Sequence, residues 1–340
     1  MGGLGLIFPL LLALAILGGI VYQRRGLLGD SRRFPPPGAL IDAGGVRLHA
    51  NVTREAAGMP VVFEAGIAAT SLSWRLVEQQ VTAFAPALSY DRAGLGWSEP
   101  AATPRSLQTL VDELRTLLDR SGLAAPRVVV AHSFGGLIAL DYAARFPSEV
   151  AGLVLVDPVG AAEWATPSKA NRAALRRGIF LARAGEFLAH AGVVRFALNR
   201  LSGGSRRLPK MIARATSGRR GQAFTERMVG EIRKLPPELW PMIQAHWCDP
   251  KCFRAMARYL QALPESAAAV LGRVRAVDAP LVVLSAANAS DQQRSDRERI
   301  ARLSPRGKLE VVEGSNHWIQ LNRPEAVVRA IREVLAAARS

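Results

Sequence analysis

The stretch VVVAHSFGGLIAL, Val128 to Leu140, constrains the fold more than any other part of the chain. A short, β-branched, uninterrupted apolar run reads as a strand covered on both faces. It runs through small residues straight into a helical pattern that lasts to Arg145. Parallel strands need such crossover helices, so the run predicts one unit of a mostly parallel, helix-covered sheet. Ser133 stands at the junction, with Ala131 two residues before it and Gly135 two residues after. A sharp strand-to-helix turn requires small neighbours, because the strained serine draws adjacent chain segments together. The turn would hold the hydroxyl clear of the sheet, at a helix N-terminus whose dipole favours developing negative charge.

The same alternation fills most of the sequence. Val46 to Val52 alternates as a half-exposed strand, and Pro60 to Phe63 and Ala87 to Tyr90 read as buried strands with a helix over 72–84 between them. Leu107 to Leu118 carries apolar residues at 107, 110, 111, 114, 117 and 118, a helical stripe. Further strands are expected at Arg127 to Ala131, Leu153 to Val156, Leu281 to Leu284 and Lys308 to Val312, with a last helix from Pro324 to Ala338. Between about 160 and 275 the strand signals vanish. Residues 160–240 hold sixteen Lys and Arg against five Glu and no Asp, a surplus of eleven. A segment this long and apolar reads as a helical insertion, not a loop.

The N-terminus adds a second constraint. From Gly2 to Tyr22 no residue is charged, and 21 helical residues span roughly 30 Å, the thickness of a bilayer core. Nothing basic precedes the run, whereas Arg24, Arg25, Arg32 and Arg33 follow it, which suits an uncleaved single-pass anchor better than a signal peptide. The positive-inside tendency puts the arginine side, and the bulk of the chain, in the cytoplasm. The expected organisation is an anchor at 1–23, a basic and proline-rich linker at 24–38, a first core segment at 39–159, a helical basic cap at 160–275, and a second core segment at 276–340.

Charge and composition remove several classes. With 49% apolar and 21% charged residues and two cysteines, the 340-residue chain is neither disordered nor a disulfide scaffold. The formal charge of +16, carried by 39 arginines and five lysines, invites an anionic surface. No stacking motif or helix-turn-helix pattern points to nucleic acid, so the partner that the charge and the apolar run lead one to expect is a membrane, through residues 2–22 and the basic cap. Cys248 and Cys252 lack the second ligand pair that zinc wants; no metal or other cofactor is expected.

Around Ser133, and in Tyr90 to Ser98 (YDRAGLGWS), the chain resembles the α/β-hydrolase superfamily, in particular bacterial hydrolases with a YDRxGxGWS block. The likeness covers residues from about 40 to 338, and implies an α/β-hydrolase fold with a mostly parallel central sheet flanked by helices and carrying a cap. It implies Ser133 as nucleophile and His317, after the last strand, as the base that takes its proton. His132 and His49 read as structural, Asp91 as mainly so, and His190 and His246 as candidate substrate contacts. Two acids remain open. Asp157 ends the strand before the insertion, where some branches such as the haloalkane dehalogenases carry their acid, and strand ends face such sites. Asp291 follows the strand that most of the superfamily uses, but arrives late and also suits a helix start. The resemblance assigns the oxyanion hole to the backbone amides of Ile67 and Phe134; Ala65 replaces the family's usual histidine before Gly66. Glu64, at the end of a buried strand, has no assigned role.

Together these imply a membrane-anchored serine hydrolase that cleaves an ester or related acyl bond through an acyl-enzyme. A serine nucleophile argues against dehalogenase and epoxide hydrolase chemistry, which use a carboxylate. The late acid and the missing histidine leave a second reading, a ligand-binding or scaffolding protein on the same fold.

Overall fold

The computed structural model describes residues 4–202 and 231–339, so residues 1–3 of the expected anchor and residues 203–230 of the expected cap lie outside the described residues. Eight strands form one sheet: β1 (Ala39–Asp42), β2 (Arg47–Thr53), β3 (Val61–Glu64), β4 (Ala87–Tyr90), β5 (Arg127–His132), β6 (Val150–Val156), β7 (Leu281–Ala286) and β8 (Gly307–Val312), in the order β1-β2-β4-β3-β5-β6-β7-β8. β1 and β4 each pair antiparallel with β2, and every other pairing is parallel. β1 was not expected. It is a four-residue edge strand, largely exposed, with no alternation to betray it.

The central strands are covered on both faces. Val128, Val130, Val154, Val156, Val282 and Leu284 are buried with Trp74, Val77 and the C-terminal helix Pro324–Ala337. Each such side chain contributes about 1.5–3 kcal/mol by leaving water. Helices Leu107–Arg120 and Gly135–Arg145 pack on each other, and the second lies against β5 and β6. The first is capped by Ser106, whose hydroxyl accepts from the Thr109 amide at 3.2 Å. The second stops at Phe146, where the following Pro147 disfavours further helix.

The chain divides into two compact units. The sheet unit comprises residues 36–179 and 255–340; the other joins residues 1–35 to 180–254. The divisions between the units fall inside the helices Lys169–His190 and Pro250–Arg273. Polar bonds tie the chain just after the second boundary to the sheet unit: buried Tyr259 donates to the Ala93 carbonyl at 2.9 Å, and Arg258 donates to the carbonyls of Ala101, Ala102 and Thr103.

In the other unit, the first helix runs from Leu4 to Arg33, through most of the expected linker. Its portion Pro9–Arg33 is long and apolar enough to cross a membrane. A buried polar network extends it: Gln23 donates to the Cys248 carbonyl at 2.7 Å, Arg195 donates to Gln23 at 2.9 Å, and Arg195 pairs with Asp30 at 2.7 Å.

Candidate active site

The carboxyl ends of the parallel strands are where a sheet of this kind gathers its ligands. Ser133 follows β5 with φ of 55°, a left-handed conformation that costs a non-glycine residue about 1–3 kcal/mol. The surroundings hold it there: the Ser133 amide donates to the Val156 carbonyl at 3.0 Å, and its carbonyl accepts from Gly136 at 3.0 Å and Val159 at 3.3 Å. Gly135 is small for a visible reason. A Cβ there would lie 2.7 Å from Glu64 Cγ and 2.8 Å from the Ala65 carbonyl. Asp157, after β6, is also left-handed, with φ of 46°, and its amide donates to the Leu284 carbonyl at 2.8 Å.

His317 lies in the loop between β8 and the short helix Ile319–Asn322. Its Nε2 is 3.1 Å from Ser133 Oγ and its Nδ1 is 2.7 Å from Asp157 Oδ2. With the proton on Nδ1 donated to the carboxylate, the Nε2 lone pair faces the hydroxyl. The second carboxylate oxygen is occupied: Asp157 Oδ1 accepts from the Ala286 amide at 2.6 Å and lies 3.1 Å from Arg297. Arg297 also donates to Ser285 Oγ at 2.8 Å, and burial pushes its guanidinium below the usual arginine range. Ser133 and Asp157 are buried while the His317 side chain is half exposed, which leaves the imidazole open to an incoming molecule.

Asp291 is not part of this row. It begins the helix Asp291–Ala301 behind a Ser290–Gln293 capping box, with its side chain in solvent and Arg294 at 3.9 Å. His132 is buried beneath His317. Its Nε2 is 2.8 Å from the His317 carbonyl, so as a donor it fixes the backbone that carries the exposed imidazole. Burial first, then the neighbouring His317, hold His132 well below the usual histidine range, and it is neutral at neutral pH.

The loop after β3 abuts the serine: a Cβ on Gly66 would lie 3.5 Å from Ser133 Cβ. Among the described residues, neither the Ile67 amide nor the Phe134 amide has a protein acceptor. The carbonyls of this loop, by contrast, are gripped. Arg92 donates to those of Ala65 at 2.5 Å, of Gly66, and of Ile67 at 3.3 Å, and it pairs with Glu64, which also accepts from the Tyr90 hydroxyl. Burial pushes the Glu64 carboxyl up, against the pull of Arg92 and Tyr90. The Arg92 guanidinium lies 5.6 Å from the Phe134 ring centroid and 5.0 Å from that of Tyr259.

The remaining sequence candidates have other partners or belong to the other unit. His49 pairs with Asp91 at 3.0 Å in full burial, and Asp91 also accepts from the amides of Ser71 and Trp97. His190 and His246 belong to the unit that contains the first helix. Cys248 and Cys252 are free and buried, and burial pushes their thiols up to about 11 and about 12. Among the described residues no cluster of three or more His, Cys, Asp or Glu is arranged to hold a metal ion.

Sequence reasoning missed Arg92 and Arg297. The signal for Arg297 is its place one turn before Ile300, the apolar residue that marks the inner face of its helix. Arg92 lies inside the YDRAGLGWS block, immediately after Asp91, where the turn drew attention away from it.

The sheet order and the bent serine turn together define a class of fold: a mostly parallel, helix-flanked sheet with a sharp turn after its central strand. Comparison narrows this to one family. The profile of the alpha/beta hydrolase family matches residues 61–330, and the chain belongs to that family. It is 31% identical over 114 residues to the uncharacterized protein YqjL of Bacillus subtilis, covering 34% of this chain and 45% of that one. It is 47% identical over 73 residues to lipase LipV of Mycobacterium tuberculosis, covering 22% and 27%. The matched stretches thus span less than half the length of these relatives. A thermophilic esterase from Thermogutta terrifontis superposes with a TM-score of 0.61 at 21% identity, over 87% of this chain and 95% of that one. Cfl2 from Burkholderia cenocepacia gives 0.63 at 20%, over 86% and 93%. At these identities the superpositions speak for the fold.

Proposed function

We propose that this chain is a membrane-anchored serine hydrolase that cleaves an ester or related acyl bond. The observation that carries the reading is the unbroken row from Ser133 Oγ through His317 to Asp157. Ser133 attacks the acyl carbonyl as His317 Nε2 takes its proton, and Asp157 steadies the imidazolium through Nδ1. Negative charge on the carbonyl oxygen is met by the amides of Ile67 and Phe134. His317 then passes the proton to the departing alcohol, the acyl group stays on Ser133, and water activated by the same imidazole releases the acid. Arg297 and the Ala286 amide keep Asp157 turned toward the imidazole; they are positioning groups.

The substrate we favour has an apolar portion. Pro158, Val159 and Trp164 line the cleft beside Asp157 and His317, with Glu163, Gln293 and Arg297 as its polar side. The naming of one relative as a lipase supports the same class. The helix Pro9–Arg33 supports anchoring, and the arginines that follow Tyr22 favour a cytoplasmic sheet unit.

The test is labelling with a fluorophosphonate probe on the full chain in detergent and in vesicles. The reading predicts one labelled site that disappears in Ser133→Ala and is protected by a short-chain ester. Labelling that survives Ser133→Ala, or none in either environment, would overturn it and leave a ligand-binding role.

A further inference from the structure

The helix Leu4–Arg33 changes character along its length. Residues Pro9 to Gly18 are exposed, and Gly19 is the first point of close approach: a Cβ on it would overlap the carbonyl of Ala191. Asn199 donates to the Tyr22 hydroxyl at 2.8 Å, so the same corner of the unit follows the helix onward. This corner joins the helices Lys169–His190 and Val193–Ser202.

Its depth follows from counting. A bilayer core about 30 Å thick takes up about 20 helical residues at about 1.5 Å each, and in the sequence the uncharged stretch ends at Tyr22, ahead of Arg24 and Arg25. Gly19 lies three residues short of Tyr22, about 5 Å to the apolar side of it. A corner that touches the anchor at Gly19 is therefore held level with the membrane boundary, where its own side chains and charges decide how far it settles into the layer.

The corner's surface has the chemistry of that boundary. Phe180 and Phe187 are each 68% exposed and two turns apart on one helix; Phe196 is 45% exposed on the next, with Val193 one turn before it. Arg183 and Arg200 are exposed among them, and Arg200 lies 5.1 Å over the Phe196 ring. Aromatic side chains interleaved with arginine suit a layer that is apolar below and phosphate-rich above.

We propose that this corner is seated in the interfacial layer of an anionic bilayer, with Phe180, Phe187, Val193 and Phe196 against the upper acyl chains and Arg183 and Arg200 on lipid phosphates. The inference rests on the anchoring reading above, and it makes the first helix a ruler that fixes the depth of its unit. The anionic preference follows from charge, since among the described residues Arg183 and Arg200 form no ion pair and Glu186, the nearest acid in sequence, is paired with Arg254.

Spin labels at single cysteines test it. Leu12→Cys, Phe187→Cys, Phe196→Cys and, in the sheet unit, Asp119→Cys are introduced in the full chain, and the unsubstituted chain controls for the buried Cys248 and Cys252. Accessibility to oxygen and to a water-soluble nickel chelate is read in vesicles of phosphatidylcholine with and without phosphatidylglycerol. In the mixed vesicles, labels at 12, 187 and 196 should favour oxygen several-fold, while the label at 119 favours nickel. In phosphatidylcholine alone, the oxygen preference at 187 and 196 should fall while that at 12 holds. Labels at 187 and 196 that report water while the label at 12 reports lipid would overturn the seating and leave the anchor standing. Water at 12 would overturn the anchor itself, and equal values in both lipids would overturn the anionic preference.

Discussion

Arg92 offers a way to separate what holds the sheet unit together from what shapes the proposed oxyanion site. Replacing it in Arg92→Met removes the partner of Glu64, which is fully buried, and the donors to three consecutive carbonyls at residues 65–67. Leaving one charge of a buried pair unanswered costs about 3–5 kcal/mol. For a chain of this size a kilocalorie moves Tm by about 2–4 °C, so a fall of roughly 6–20 °C is expected. The companion Glu64→Gln/Arg92→Met removes both charges, and should recover most of that stability, because an uncharged replacement of a buried pair is often neutral. It does not restore the grip on the loop carbonyls. Turnover of a short-chain ester should therefore stay down by about 10- to 100-fold in both variants, in kcat more than in KM, since an ångström of misplacement costs up to about 10²-fold. Thermal unfolding followed by tryptophan fluorescence, with steady-state kinetics on the same samples, reads both quantities. If the double variant regains turnover together with stability, Arg92 is only half of an ion pair and the loop holds itself. A single-variant loss under about 1 kcal/mol would equally refute the reasoning.

Three further outcomes follow from the same geometry. Asp157→Asn should lower kcat by about 10⁴ through the wrong imidazole tautomer, whereas Asp291→Asn, in solvent, should stay within about twofold; equal losses would remove Asp157 from its proposed role. His132 titrates below its unfolded value near 6.5, so below that pH the unfolded chain binds a proton that the folded chain refuses. Stability should decline with acidification by up to about 1.4 kcal/mol per pH unit, and His132→Phe should show a flatter slope between about pH 5 and 6.5 in urea titrations; an unchanged slope would assign the effect to other groups. Gly135→Ala would press a methyl on the Ala65 and Glu64 backbone, and should cost about 1–3 kcal/mol along with most of the turnover; wild-type melting and kinetics would show that the two segments separate freely.

The sheet was legible where local pattern suffices. Val128 to Ala131 and Leu281 to Leu284 announce themselves by burial on both faces, and the serine turn by the small residues around it. β1 was illegible because four edge residues carry no periodicity. The choice between Asp157 and Asp291 could not be read from spacing, since it depends on where a strand end meets a distant loop, 160 residues away in the case of Asp157 and His317. Arg92 and Arg297 were hidden for a different reason. Among 39 arginines, a buried guanidinium looks like a solvated one until its long-range acceptors are known.

The network of Gln23, Asp30 and Arg195 bears on how the protein is best handled at the bench. Trimming at Arg33, the obvious cut for a water-soluble version, deletes both side chains that answer a nearly buried guanidinium. The cut also strips away the helix whose Gly26 lies against that guanidinium, so Arg195 would lose its partners and its cover together, and inactivity in such a sample would report a disturbed helical unit instead of a requirement for lipid. A cut after Gly18 removes the exposed part of the helix and spares both partners.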